Sequence, residues 1–192
     1  MPLLPALAFA RQLIEGRLKN GGRALDGTAG NGRDTLFLAQ LVGGNGKVWA
    51  FDIQAQALSN TAGLLRENGV EERVELIAAS HADLADYVRE PLDAAMFNFG
   101  YLPGGDKTVT TKADSSVRAM QAAAALLAEG GLLTAVVYSG HPAGRAEAAA
   151  IEQWAAALPQ EQYQFLHYRF TNQRNHPPQL LAIEKRIRKP NR

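Results

Sequence analysis

Arg23-Ala24-Leu25-Asp26-Gly27-Thr28-Ala29-Gly30-Asn31-Gly32 is the stretch on which the fold turns. Ala24 and Leu25 close a short apolar run that reads as a strand entering a core. Asp26 stands at the strand's carboxyl end, and glycines follow at positions 27, 30 and 32. Asp34-Thr35-Leu36-Phe37-Leu38-Ala39 then resumes with helical spacing. Strand, glycine-rich turn and helix opening make a cradle in which bare backbone approaches a ligand closely. The expectation is a nucleotide-like cofactor on this turn.

Glycine order narrows the cofactor. Dinucleotide folds use G-x-G-x-x-G, whose backbone amides hold a pyrophosphate at a helix N-terminus. Here the order is G-x-x-G-x-G, with a carboxylate directly before the first glycine. Asp26 would repel a pyrophosphate but suits a ligand with an ammonium group. S-adenosylmethionine (SAM) has such a group and no phosphate, so Asp26 to Gly32 resembles motif I of the class I SAM-dependent methyltransferases. Taken alone, the pattern also fits an ordinary tight turn. Lys47-Val48-Trp49-Ala50-Phe51-Asp52 adds the second feature, an alternating strand ending in an acid twenty residues past Gly32. Asp52 is placed to accept both ribose hydroxyls, and it can also cap the helix starting near Ala55. The cofactor set expected is Asp26, Gly27, Thr28, Gly30, Asn31, Gly32, Asp34, Asp52, Ile53 and Gln54.

The 192 residues are most simply one domain, 1–192. A formal charge of +1 announces no global basic field for nucleic acid. With no cysteine, disulfides and thiolate zinc sites are excluded, which fits a reducing cytoplasm. No signal-peptide pattern and no membrane-length apolar run is present, so the expected setting is soluble and cytoplasmic, without a membrane partner.

Along the chain, an apolar stripe predicts a helix over Leu3 to Leu18, placed beside the first strand and able to roof the cofactor pocket. A helix to about Val42 follows motif I. A third helix spans about Gln54 to Asn68, and a third strand Arg73 to Ala78. Leu92 to Phe97 reads as the fourth strand, and Asp114 to Ala128 as a helix ended by Glu129-Gly130-Gly131. Leu132 to Tyr138 is the fifth strand, and Ala143 to Leu158 a helix. Gln162 to Thr171 and Gln179 to Glu184 close the chain as two successive strands. Five βα units and a terminal hairpin predict an α/β fold whose sheet is mainly parallel with one antiparallel strand.

Asn98-Phe99-Gly100-Tyr101 leaves the fourth strand and resembles the Asn/Asp-Pro-Pro-Tyr motif of methyltransferases that alkylate planar or exocyclic amines, with Phe99-Gly100 in place of Pro-Pro. That resemblance implies that Asn98 and the carbonyl near Gly100 orient an amine while Tyr101 packs on a base. Gly30-Asn31-Gly32-x-Asp34-Thr35, Phe97-Asn98-x-Gly100-Tyr101-Leu102-Pro103-x-Gly105-Asp106, Tyr138-x-Gly140-His141 and Asn172-Gln173-x-Asn175-x-Pro177-Pro178 together resemble the YtqB-like family. The family is labelled as rRNA methylases and is similar to bacterial enzymes that methylate the aminomethyl group on wobble uridine 34 of tRNA. It implies a Rossmann-like class I methyltransferase fold of seven strands with an N-terminal helix, SAM as donor and a tRNA anticodon stem-loop as acceptor. Its label points instead to ribosomal RNA, and a homodimer rests on the resemblance alone.

The same resemblance places Ser80 and His81 on the adenine side, where His81 also fits a structural or helix-capping role. Asn98 faces the methyl donor as well as the acceptor. Tyr138 and His141 lie on the rim after the fifth strand, where packing and helix capping are the alternative roles. Asp106 could take the amine proton through water, although a turn role suits it better beside Gly104-Gly105. Lys107 and Lys112 flank the site, and Arg174 and Asn175 lie on the hairpin loop, where basic and polar groups attract phosphates and read unpaired bases. No metal site is expected. A methyltransferase for a small-molecule or protein amine and a non-catalytic SAM-binding module are the competing readings.

Overall fold

The computed structural model describes residues 2–100 and 111–188. Tyr101, Asp106 and Lys107, three of the candidate site residues, lie outside the described residues.

Among these residues, β1 (Arg23–Asp26), β2 (Lys47–Phe51), β3 (Val74–Ile77), β4 (Leu92–Phe99), β5 (Leu127–Val137), β6 (Tyr163–Tyr168) and β7 (Gln179–Lys185) form one sheet in the order β3-β2-β1-β4-β5-β7-β6. β1 to β5 are mutually parallel, and β7 runs antiparallel to both β5 and β6. The mixed sheet with one antiparallel strand and a terminal hairpin is as expected. Helices α1 (Ala6–Glu15), α2 (Arg33–Val42), α3 (Ala55–Glu67), α4 (Leu84–Tyr87), α5 (Ala113–Leu126) and α6 (Pro142–Ala156) accompany it. None of the described helices is long and apolar enough to cross a membrane.

Both faces of the sheet are covered, which explains why the central strands are apolar throughout rather than alternating with polar residues. Successive side chains point to opposite faces. Leu25, Trp49, Ala95 and Phe97 join one buried cluster with α5 and α6 residues, whereas their neighbours Ala24, Val48, Ala94 and Met96 join the other with α1 and α2 residues. The chain travels outward from β1 through β2 and β3, then returns to start β4 on the opposite side of β1. That reversal opens a crevice beyond the carboxyl ends of β1 and β4, where open α/β sheets bind their ligands.

Several boundaries differ from expectation, each for a physical reason. α1 starts after Pro5 and packs mainly over β5 and β7 rather than beside β1. Tyr168 Oη donates to the Leu4 carbonyl at 2.9 Å and anchors the start of that segment. Gly130-Gly131 does not end a helix; it lies inside β5, which begins at Leu127 directly after α5. The pairing of β4 with β5 shifts register between Leu92 and Ala94, and Gly130 sits at φ 78, so the glycines form an irregularity within the strand. β4 runs on to Phe99, placing Asn98 within the strand rather than in the following loop.

Candidate functional site

The glycine turn is clamped from three sides. Gly27 N donates to the Met96 carbonyl at 2.9 Å, Ala29 N to the Phe51 carbonyl at 2.8 Å, and Asn98 N to Thr28 Oγ1 at 2.7 Å. Residue 27 must be glycine because a Cβ there would stand 2.0 Å from the Phe97 ring. Gly32 caps α2 at φ 80, and a Cβ on it would lie 2.9 Å from Thr61 Cα. Asp52 completes the clamp, its Oδ2 accepting from Gly30 N and its Oδ1 from Gln54 N, each at 2.9 Å. Asp52 thus holds the first loop through Gly30 while fixing the approach to α3.

Asp26 is buried beneath this turn. Its Oδ1 accepts from Thr28 N at 3.0 Å and its Oδ2 from Thr35 Oγ1 at 2.6 Å. Burial, followed by the charges of Asp34 and Asp52, raises its carboxyl to about 7 against the lowering effect of those two hydrogen bonds. It is not part of the cavity wall. His81 is half-buried, and partial burial holds its imidazole below the ordinary value, against the raising effects of Asp52, the Gly27 backbone and Asp83. It packs edge-on to Phe97 and Phe99, at ring distances of 6.4 and 5.6 Å. Capping of the short helical turn over 81–83 belongs to Ser80, whose Oγ accepts from Ala82 N at 3.2 Å, and not to His81.

A cavity of about 650 Å³ opens above the turn, within the usual size range for a small-molecule site. Its wall brings together Gly27, Thr28, Gly30, Asn31, Asp34, Asp52, Ile53, Gln54, Ser80, His81, Asn98, Gly100 and Tyr138 from the expected set. Gly32 and Asp26 support it from behind. His141, Arg174 and Asn175 lie off the wall. His141 caps α6, its Nδ1 accepting from Gly144 N at 3.1 Å, which is the alternative role foreseen for it. Arg174 and Asn175 are exposed on the β6–β7 loop, with Asn175 at φ 66. Leu7 and Arg11 of α1, Arg33, Thr111 and Ser115 line the wall and were not singled out in the sequence. Arg11 did leave a signal: it falls between Leu7 and Ile14 at the edge of the buried face of α1 (Ala6, Ala10, Ile14), where a half-buried charge needs a partner.

That partner is Asp34. Arg11 donates from Nε at 2.9 Å and from Nη2 at 2.6 Å, both to Asp34 Oδ1, and its guanidinium lies 5.4 Å from the Phe37 ring centre. Asp34 Oδ2 in turn accepts from Asn98 Nδ2. A carboxylate has no proton to donate, so the nitrogen of the Asn98 carboxamide must face Asp34 and its oxygen must face away. Asn98 Oδ1 is buried and, among the described residues, has no hydrogen-bond partner. Thr111 Oγ1, on the same wall, is likewise buried without one. The Gly100 carbonyl accepts from Thr111 N at 3.1 Å, closing the two ends of the segment between them. The wall therefore presents an unsatisfied acceptor from residue 98 beside a glycine cradle and the Asp52 carboxylate.

Comparisons agree with this fold. Residues 48–184 match the family described as "Putative rRNA methylase". A chloroplastic tRNA (mnm(5)s(2)U34)-methyltransferase of Arabidopsis thaliana is 37% identical over 164 residues, covering 80% of this chain but only 60% of that protein. A crystal structure described as a "putative rRNA-methylase" from Clostridium thermocellum superposes with a TM-score of 0.95 at 37% identity, covering 96% of this chain and 100% of that one. A "putative methyltransferase" from Streptococcus mutans, solved in complex with SAH, gives 0.88 at 35% identity, with 96% and 99% covered.

Proposed function

This chain belongs to the rRNA-methylase family, and on that premise we propose that it is a SAM-dependent methyltransferase that N-methylates the 5-aminomethyl group of wobble uridine 34 in tRNA. The observation that carries the reading is the buried, unpartnered Asn98 Oδ1 on the cavity wall. Buried polar atoms are rarely left unsatisfied, and one aimed into a ligand site marks where a ligand donor belongs.

SAM fits the residues present. The backbone from Gly27 to Gly30 suits its methionine end, Asp52 its ribose, and Ile53, Ser80 and His81 its adenine. When bound, SAM supplies a methyl group already activated on a sulfonium. Asn98 Oδ1 accepts an N–H of the acceptor amine and turns its lone pair toward the methyl carbon. The N–C bond forms as the C–S bond breaks, and the amine then releases one proton to solvent. Alignment of this kind is worth effective molarities of about 10⁵–10⁸ M.

The amine must arrive neutral. With a lysine-like pKa near 10.4, freeing its lone pair at pH 7 costs about 4–5 kcal/mol. A neutral carboxamide does not hold the ammonium form as a bare carboxylate would. Asp34 is the carboxylate closest to Asn98, and Arg11 already pairs with it. The arrangement thus offers an acceptor without adding uncompensated negative charge.

The tRNA acceptor is supported by the name of the Arabidopsis relative and by exposed Arg33 and Lys112 on the wall, placed to attract phosphates. The family description favours ribosomal RNA as a second reading. Nucleoside mass spectrometry of both RNA classes, from cells with and without the gene, separates the two. Loss of the methylaminomethyl nucleoside from tRNA is expected. Loss of a methyl from rRNA with tRNA unchanged would overturn the tRNA assignment.

A further inference from the structure

We propose that Asp34 is the positioning residue that sets the hydrogen-bond polarity of the site, holding Asn98 so that it offers the acceptor group an oxygen and never an NH₂. This deepens the reading above and rests on it for the identity of the substrate.

A carboxamide is nearly symmetric in shape, so a pocket that merely fits one does not decide which end faces the ligand. Here the decision is made by three residues far apart in the chain. Asn98 N is already donated to Thr28 Oγ1, which fixes the backbone of residue 98. Asn98 Nδ2 is committed to Asp34 Oδ2, and Asp34 Oδ1 is committed to two donors of Arg11. Arg11 can only donate and a carboxylate can only accept, so the bonds from Arg11 and from Asn98 Nδ2 converge on Asp34, and only the NH₂ end of Asn98 can face it. The atom left over is Asn98 Oδ1, buried and open for one N–H. A donor such as a primary amine is accepted there. A carbonyl oxygen or an unprotonated ring nitrogen would face another acceptor and be rejected.

The isosteric change Asp34→Asn tests this. Arg11 would keep the one oxygen left at position 34, so the new amide nitrogen would point at residue 98. The Asn98 carboxamide must then turn over to accept from it, presenting NH₂ to the cavity. With the wild-type acceptor RNA, kcat should fall about 100-fold, the order seen for loss of alignment, while the apparent KM for SAM changes less than about threefold. The double variant D34N/N98D restores the polarity: the carboxylate at position 98 accepts from the new amide with one oxygen and offers the other to the substrate. It should recover at least about tenfold over D34N. N98D alone sets two carboxylates face to face and should be less active than the double variant, a comparison that stands even if D34N folds poorly. A residue needed only for folding would show no such reciprocal rescue.

Amide NMR on the free protein provides a readout independent of turnover. The Asn98 side-chain NH₂, assigned by its loss in N98A, should exchange slowly in the wild type and quickly in D34N. Slow exchange in both, or a double variant no better than either single one, would overturn the proposal. If the wild type transferred no methyl to tRNA, the functional reading would fail while the NMR comparison still decided the polarity.

Discussion

Asp26→Asn should change the pH dependence of stability in a specific way. The Asp26 carboxyl lies near 7 in the folded protein, against 3.8 as its ordinary value. A carboxyl with a raised native pKa holds its proton more tightly when folded. Its stabilising contribution is therefore full below 3.8 and is lost as pH rises toward 7. A gap of roughly three units, at about 1.36 kcal/mol each, amounts to about 4 kcal/mol across that window. The substitution keeps an oxygen for Thr28 N–H, and the Thr35 hydroxyl can rotate to accept from the new amide. The variant should thus lack the titration while keeping the turn. His81 works in the opposite sense, because its depressed pKa makes stability fall as pH drops below 6.5. It is common to both proteins, so the difference between them isolates Asp26. Urea unfolding between pH 4 and pH 8 should show the variant gaining on the wild type by about 4 kcal/mol as pH rises, or about 8–16 °C in melting temperature. Parallel curves for the two proteins would refute the argument that Asp26 is held protonated by burial and its acidic neighbours.

Three further outcomes follow from the site. Gly27→Ala places a Cβ 2.0 Å from the Phe97 ring, which is fully buried and stacked on Phe99 at 5.2 Å, so neither ring has room to move. Urea denaturation should show a loss of at least about 1–3 kcal/mol, the cost of overpacking. Asp52→Ala removes the acceptor for both Gly30 N and Gln54 N as well as the proposed ribose partner, and calorimetry should find SAM affinity at least about tenfold weaker. Asn98→Ala should lower kcat about 100-fold while the SAM dissociation constant stays within about threefold of wild type, measured by single-turnover methyl transfer and calorimetry.

What the sequence revealed was local chemistry, and what it hid was long-range pairing. Gly27 to Gly32 and Asp52 were legible because glycine spacing and an acid at a strand end are unusual in an apolar stretch, and the cavity wall contains most of that set. The order of strands followed from the rhythm of apolar runs. Asp26 was legible as an important acid but not as a buried one, since nothing in its neighbours along the chain shows that Thr35 turns to meet it. Asp34 was read as a cofactor residue from its place beside the motif, yet its partners are 23 and 64 residues away. Gly130-Gly131 looked like a helix terminator because that is their commonest use, whereas the β4–β5 register shift uses them within a strand. Arg11 was the readable omission, a charge at the edge of the buried face of α1.

The most direct test of the account is a structure of the protein with SAH and an anticodon stem-loop carrying the unmethylated 5-aminomethyl group. It should place the amine nitrogen within about 3.2 Å of Asn98 Oδ1, with the sulfur of SAH facing it from the Gly27 side. An amine bound elsewhere, or a carboxamide oxygen turned toward Asp34, would contradict the account at its centre.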